Sequence, residues 1–211
     1  MIMKKLKARD GIHIMNVREA MEQMEKDGIE EVIVQPTHVM NGYENDLMTE
    51  DAKAYSSHFS RVAIGAPLLT SMEDQTRIIK AVAENLPVEK DEALILMGHG
   101  TEHFANSIYA ALDYQFKDTG YPNIFVGTVE GYPELENVKK LLKKTGLKKI
   151  ALAPFMIVAG DHATNDLAGD EEDSWKSLLE AEGYEVRCIL KGLGEYPQVR
   201  SLLAEHIAAV Q

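Results

Sequence analysis

The chain of 211 residues is long enough for one large domain or for two of about 100 residues each. Its formal net charge of −12, from 34 acidic and 22 basic residues, argues against a nucleic-acid-binding protein, which needs a basic face. The chain has a single cysteine and no apolar run of about 18 residues, so we expect no disulfide and no membrane span. No apolar segment follows its basic N-terminus, so we expect no secretory signal and a cytoplasmic location.

Short apolar segments alternate with amphipathic segments along the chain. The apolar segments predict buried strands at residues 31–35, 61–65, 93–97, 124–127, 150–153 and 185–189. The amphipathic segments predict helices at residues 17–26, 72–85, 106–117, 133–144, 173–181 and 197–210. Strands that alternate with helices of this length are typical of βαβ units, so we predict an α/β fold with parallel sheets.

Two segments of the chain resemble each other. Residues 28–42 read GIEEVIVQPTHVMNG and residues 146–160 read GLKKIALAPFMIVAG, with glycine, strand, proline and closing glycine at the same positions. Many helix–glycine–strand units converge on such a pattern, but the shared proline and second glycine favour an internal duplication. We therefore predict two related halves.

The predicted halves differ in content. Ahead of its copy of the repeat, the second half has two additional strands and a helix between them, and the first half has no counterpart to these elements. We therefore expect the first half to be incomplete. The polar stretch 87–92, which opens with a proline, is the best candidate for the boundary between the halves.

Two histidines and one carboxylate follow three of the predicted strands. His99 follows residues 93–97, Glu130 follows residues 124–127, and His162 follows residues 150–153. Ligands of open parallel sheets bind beyond the carboxyl ends of the strands. Imidazole and carboxylate together suit Co²⁺, Fe²⁺, Ni²⁺ or Zn²⁺, and three protein ligands leave positions open for a substrate. The sequence therefore predicts a metal site at His99, Glu130 and His162.

Each of these residues also fits a structural role. A single histidine after a strand is more often a hydrogen-bonding or capping residue than a metal ligand. Glu130 fits an acid at the N-terminus of a helix, and Asp161 beside His162 fits an N-cap. The convergence of three such residues at one sheet edge is what favours the metal site.

Two further histidines are weaker candidates. His38 follows the first strand, where it fits either the wall of a cleft or a structural histidine. His103 lies four residues after His99, which places both on one face if the segment is helical, or leaves His103 as a solvent-facing loop residue. The chain has no phosphate loop, dinucleotide fingerprint, nucleophile elbow or CxxC pair.

Four strings resemble one known family, the anaerobic sirohydrochlorin cobaltochelatases, which are class II chelatases called CbiK. They are MGHGTEHFANSIYAALD at residues 97–113, GTVEGYPE at 127–134, APFMIVAGDHATNDLAGDEEDSWK at 153–176 and QPTHVMNG at 35–42. The third string is long and far more specific than a generic strand and loop. The resemblance covers essentially the whole chain from Lys5 onward.

The resemblance implies a chelatase-like fold of two flavodoxin-like halves with a cleft between them. On this basis we divide the chain into an N-terminal half at residues 1–88, a C-terminal half at 89–195 and a final helix at 196–211 that packs back on the first half. The resemblance also implies an opening strand with an SFGTS-like turn, which this sequence lacks. Paired acids and a tyrosine are expected after residue 42, where the sequence reads Tyr43-Glu44-Asn45-Asp46.

The resemblance further implies ATP-independent insertion of Co²⁺, or alternatively Fe²⁺, into sirohydrochlorin on the route to cobalamin or sirohaem. Its metal-binding histidines match His99 and His162, and its carboxylate matches Glu130. We expect these two histidines to be catalytic, with His99 the better candidate to accept a pyrrole proton. The substrate-contact candidates, by position, are His38, Glu44, His103, Phe155 and Met156, and Met97 is a further stacking candidate.

Two other functions fit the same residues. The chain fits a non-catalytic carrier of a metal or a tetrapyrrole, in which an incomplete first half leaves the cleft open. A metal-dependent hydrolase with the same three ligands is a weaker alternative. Neither a nucleic acid nor a membrane is an expected partner, and the sequence leaves a homo-oligomer open.

Overall fold

The computed structural model of the protein describes residues 8–211 and has an α/β architecture. Residues 1–7 lie outside the described residues. They include the start of the N-terminal segment in which we expected no secretory signal. The strands are β1 (Glu31–Val34), β2 (Arg61–Ile64), β3 (Glu92–Gly98), β4 (Ile124–Thr128), β5 (Lys149–Pro154) and β6 (Glu185–Cys188). The helices are α1 (Val17–Lys26), α2 (Tyr43–Ala54), α3 (Met72–Asn85), α4 (Ser107–Asp118), α5 (Leu135–Leu142), α6 (Trp175–Ala181) and α7 (Pro197–Ala208).

All strand pairs in the two sheets are parallel, which confirms the predicted fold class. Four strands form one sheet in the order β4-β3-β5-β6, and β1 pairs with β2 in the other. Helix ends differ from the predicted ends by up to two residues. Helix α6, for example, begins at Trp175 because the Ser174 hydroxyl accepts a hydrogen bond from the Ser177 N–H.

Helices cover both faces of the four-stranded sheet. Leu94 and Leu96 of β3 pack against α3, α4 and α7, whereas Ala93, Ile95 and Met97 pack against α5 and α6. All five side chains are completely buried. A strand buried on both faces is a continuous apolar run, which is why the sequence pattern identified it. Met97 points into the core, so stacking on a ligand, which we considered from its position, is wrong.

The repeated segments adopt matching conformations. Gly28 and Gly146 have φ angles of 75° and 72°, and each lies three residues ahead of a strand, β1 or β5. Strand β1 pairs with β2 as β5 pairs with β6. Strand β5 also pairs with β3, whereas β1 has no second neighbour in its sheet among residues 8–211. The difference in content between the halves is thus present in the described part of the chain.

Helix α7 packs on α3. Both guanidinium NH groups of Arg77 donate to the Glu205 carboxylate at 2.6 Å, and His206 Nε2 lies 3.1 Å from Asp74 Oδ1. Burial raises the pKa of Asp74, but hydrogen bonds with Ser71 and His206 outweigh it and hold this pKa below its usual value. One hydrophobic cluster contains residues from both sides of position 88, so the division into halves stays a prediction.

Candidate metal centre

The three predicted metal ligands lie together at the carboxyl edge of the four-stranded sheet. One ligand atom from each of His99, Glu130 and His162 lies within 4.8 Å of the other two. The two imidazole centroids are 4.7 Å apart with perpendicular rings, and His99 Nδ1 lies 3.9 Å from Glu130 Oε2. The side chains are 45%, 60% and 36% exposed respectively, so solvent and ligands reach them. This donor set suits a first-row divalent metal with open coordination positions.

Backbone hydrogen bonds join the segments that carry these ligands. The Glu130 N–H donates to the His99 carbonyl at 2.8 Å, which ties the segment after β4 to the segment after β3. The Phe155 N–H donates to the Met97 carbonyl at 2.7 Å, which extends the contact between β5 and β3 beyond the last paired residue. The backbone segments that carry His99 and Glu130 are therefore fixed relative to each other before any metal binds.

Gly100 allows the close approach of the His99 and Glu130 segments. Its φ angle of 86° is in the left-handed region, where a side chain is strained. A Cβ atom at this position would lie 2.7 Å from the Gly131 nitrogen and 2.8 Å from the Glu130 carbonyl carbon. Only glycine fits here without moving the backbone of Glu130.

Asp166 orients the imidazole of His162. Its Oδ2 atom lies 2.5 Å from His162 Nδ1, and this contact leaves Nε2 to bind a metal. The two residues are four apart on a helical turn that continues as a π-helix over Ala163–Leu167, a rare conformation that is frequent at functional sites. Asp166 was not predicted from the sequence as a partner of His162, although its spacing from this histidine is that of a helical pair.

We expect Asp166→Ala to weaken Co²⁺ binding by about 10- to 100-fold, because His162 loses the acceptor that fixes its ring. Asp166→Asn keeps an oxygen acceptor without the charge and should weaken binding less. The visible absorption of bound Co²⁺, followed in a titration, measures both affinities. Asp170→Asn is the matched control, since this carboxylate is in the same acidic loop and 99% exposed. An unchanged Co²⁺ affinity in Asp166→Ala would contradict the positioning role.

A cavity of about 300 Å³ begins at His99 and extends between the two predicted halves. Four of the predicted substrate-contact residues, His38, Glu44, Phe155 and Met156, line it. Its other lining residues are Thr37, Val39, Met40, Gly42, Asn45, Gly100, Thr101, Tyr109 and Ile157. The first half supplies one wall and the second half supplies the wall that carries the metal ligand His99.

Tyr109 of helix α4 packs against the segment that carries His99, and this role was not predicted from the sequence. It is 2% exposed, and burial raises its pKa to about 12 against the opposing effect of hydrogen bonds with the Gly100 and His99 backbone. A Cβ on Gly98 would lie 2.2 Å from the Tyr109 ring, so the ring packs directly on the end of β3. On an amphipathic helix, a tyrosine of this kind looks like an ordinary core residue.

His103 does not line the cavity, in contrast to the other substrate-contact candidates. It lies in a loop and is 9% exposed, so neither the helical pairing with His99 nor the solvent-facing alternative is correct. Its Nδ1 accepts a hydrogen bond from the Ala105 N–H at 3.2 Å, and its Nε2 lies 3.5 Å from Asp46 Oδ2. The ring centroids of His103 and Tyr43 lie 4.9 Å apart in an edge-to-face arrangement. His103 therefore joins the loop after β3 to helix α2.

Glu130 is not the helix-capping acid that we considered as its alternative role. Helix α5 begins at Leu135, and its N-cap is Glu134. Glu130 lies ahead of this cap, and its carboxylate points towards His99.

Among residues 8–211, no helix has the length and apolar character of a membrane span.

The sequence profile of the cobalt chelatases (CbiK) matches residues 1–211 of this chain. The chain belongs to this family. It is 36% identical over 208 residues to the sirohydrochlorin cobaltochelatase of Salmonella typhimurium, an alignment that covers 98% of this chain and 78% of that protein. It is 34% identical over 198 residues to the sirohydrochlorin cobaltochelatase CbiKC of Nitratidesulfovibrio vulgaris, which covers 92% of this chain and 70% of that protein. The predicted family is confirmed.

Solved structures of sirohydrochlorin chelatases share the fold. SirB from Bacillus subtilis with Fe³⁺ superposes with a TM-score of 0.65 at 14% identity, covering 99% of this chain and 86% of SirB. The SirB of Bacillus subtilis subspecies spizizenii in complex with cobalt gives 0.62 at 13% identity, covering 99% of this chain and 85% of that one. At these identities the likeness establishes the chelatase-like fold, as predicted.

Proposed function

We propose that this protein is a sirohydrochlorin cobaltochelatase, which inserts Co²⁺ into the tetrapyrrole without consuming a nucleotide. One observation carries the proposal. Three side chains with the donor atoms that Co²⁺ prefers lie within 4.8 Å of one another, and one of them also lines a cavity between the two halves. The family and the names of the two relatives support the same reaction.

The reaction removes two protons from pyrrole nitrogens and exchanges metal-bound water for ring nitrogens. A neutral imidazole performs both tasks near pH 7, since it ligates a metal and accepts a proton. We assign the metal to His99 and His162, with Glu130 completing the set and offsetting the positive charge. His99 lines the cavity and His162 does not, which favours His99 as the acceptor of one pyrrole proton after the metal has moved from its imidazole into the ring. The second proton leaves to the solvent that reaches the exposed His99 and Glu130 side chains.

The cavity walls suit the macrocycle. Met156 is half-buried and presents apolar surface beside His99, whereas Phe155 is completely buried within the same wall. His38 and Glu44 face this wall from the first half. Holding the ring over the metal converts a bimolecular exchange into a step within one complex, which lowers its entropic barrier. We assign ring contact to Met156 and polar contact to His38 and Glu44, while Phe155 supports the wall from the core.

The donor set also suits Fe²⁺, Ni²⁺ and Zn²⁺. Relatives named for cobalt make Co²⁺ our proposed substrate metal, and the SirB structures with cobalt and Fe³⁺ make iron the next candidate. We place the reaction in the cytoplasm, where the lone thiol of Cys188 stays reduced.

The test is a metalation assay with sirohydrochlorin and Co²⁺, followed by the change in the tetrapyrrole absorption spectrum. We expect product to accumulate beyond one equivalent of protein, with no ATP present. Spontaneous metalation, measured without protein, is the baseline. A spectral change that stops at one equivalent would identify a carrier and contradict the proposal.

A further inference from the structure

Lys191 has a unique position in the fold. Six segments connect the carboxyl end of a strand to the next long helix: residues 35–42, 65–71, 99–106, 129–134, 155–174 and 189–196. All of them lie within the described residues, and together they contain one lysine, Lys191, and no arginine. Lys191 is therefore the one lysine or arginine in the segments that connect strands to helices at the edge of the sheets where we place the chemistry.

A cation at this edge matters because the proposed substrate is a polycarboxylate. The chain has a net charge of −12, so its overall field repels such an anion. None of the residues that line the cavity beside His99 is a lysine or an arginine. A positive charge outside the lining would therefore favour binding of a carboxylated macrocycle, because a charge-assisted hydrogen bond is about twice as strong as a neutral one.

The segment that carries Lys191 packs against the wall of the cavity. The Leu193 N–H donates to the Met156 carbonyl at 2.8 Å, and the Gly194 N–H donates to the Ile157 carbonyl at 3.0 Å. Met156 and Ile157 both line the cavity. The backbone of this segment is thus fixed directly behind the surface on which we place the macrocycle.

Gly192, the neighbour of Lys191, keeps this contact tight. A Cβ atom at position 192 would lie 2.4 Å from the Ile157 carbonyl oxygen and 2.8 Å from the Ala159 nitrogen. Arg200, on the first turn of α7, donates to the Gly194 carbonyl at 3.0 Å and holds the segment from the other side. The backbone beside Lys191 is therefore held in place by contacts on both sides.

The ammonium group of Lys191 has no acidic partner within residues 8–211. It lies 4.5 Å from the centroid of the Tyr196 ring, whose face attracts a cation without neutralising it. Lys149 of β5, by contrast, is paired, because its Nζ lies 2.8 Å from Asp91 Oδ2. The charge of Lys191 is thus oriented and available to an anion.

We propose that Lys191 binds a peripheral carboxylate of the tetrapyrrole substrate, an inference that rests on the proposed function. The ammonium donates to the carboxylate at the rim, while His99 and the apolar wall engage the ring itself. The contact contributes to binding and orientation of the macrocycle and takes no part in proton transfer.

The test compares Lys191→Ala and Lys191→Arg with a matched control, Lys148→Ala. Lys148 makes the same kind of contact, 5.1 Å from the Tyr184 ring centroid, but it lies ahead of β5 at the opposite edge of the sheet. The first readout is the Kd of metal-free sirohydrochlorin, from fluorescence quenching. The second is the KM and kcat for Co²⁺ insertion, measured at several salt concentrations.

We expect Lys191→Ala to raise both Kd and KM about tenfold and to change kcat less than about twofold, as for the loss of one hydrogen bond to a charged group. The KM of the wild type should rise with salt more steeply than that of Lys191→Ala, because one ionic contact is missing from the variant. Lys191→Arg should restore most of the affinity, and Lys148→Ala should behave as wild type.

The outcomes separate the two proposals. If wild type turns over and Lys191→Ala has unchanged Kd, KM and salt dependence, the role of Lys191 is wrong and the proposed function stands. If wild type binds sirohydrochlorin but does not turn over, the proposed function is wrong, and Kd still decides the role of Lys191. If wild type does not bind sirohydrochlorin, both proposals are overturned.

Discussion

His99→Ala and His162→Ala will each abolish Co²⁺ insertion into sirohydrochlorin while the protein stays folded. Each substitution removes a metal ligand, and the loss of a residue that also accepts a proton costs about 10²- to 10⁴-fold in rate. The two side chains are 45% and 36% exposed, so truncation leaves no buried cavity and should change thermal stability little. The initial rate of spectral change, at saturating sirohydrochlorin and Co²⁺, measures the effect.

His58→Ala is the matched control for these variants. The His58 side chain is 44% exposed, and its Nδ1 lies 2.9 Å from Glu25 Oε1, as in an ordinary surface pair. It lies on a turn ahead of β2, at the amino end of that strand. We expect wild-type rates from His58→Ala. Near-normal rates in both His99→Ala and His162→Ala would rule out the assigned metal centre.

Gly100→Ala will lower the rate of Co²⁺ insertion about 100-fold or more. The added Cβ would meet the backbone of Glu130 at 2.8 Å, so the segment that carries Glu130 must move away from His99. A displacement of about 1 Å in a positioned group costs about 10²-fold in rate. The same displacement should weaken Co²⁺ binding, which a titration by absorption measures alongside the rate.

Gly120→Ala separates this effect from backbone strain. Gly120 has a φ angle of 97°, close to the 86° of Gly100, but no atom lies within 4 Å of its added Cβ. Both variants carry the strain of a side chain in the left-handed region, about 1–2 kcal/mol, and both should unfold at a lower temperature than wild type. We expect only Gly100→Ala to lose activity. Equal rates in the two variants would contradict the role of Gly100 in placing Glu130.

The ligand set of the metal centre could be predicted because it depends on local patterns. Apolar runs identified the strands, and the residues after three of them were His99, Glu130 and His162. In a parallel sheet all carboxyl ends lie at one edge, so strand direction alone brings such residues to the same side. The family strings then gave the reaction that these ligands serve.

The residues that assist the ligands could not be predicted in the same way. Asp166 lies in a run of acidic residues, and the pattern alone does not indicate which carboxylate contacts His162. Tyr109 lies on the apolar face of α4, where a core residue and a support for the His99 segment look alike. Lys191 has no motif around it, and its role depends on the absence of other cations from five distant segments.

The fold class, the family and the three candidate ligands could be inferred from the sequence alone, because hydrophobic periodicity and motif strings are properties of neighbouring residues. The strand order could not be inferred in this way: the folded protein has β3 between β4 and β5, and the segments carrying His99, Glu130 and His162 are adjacent for this reason. The tertiary structure also turned His103 towards α2 and away from the cavity. Strand order and side-chain direction result from packing between elements far apart in the chain, which no local pattern records.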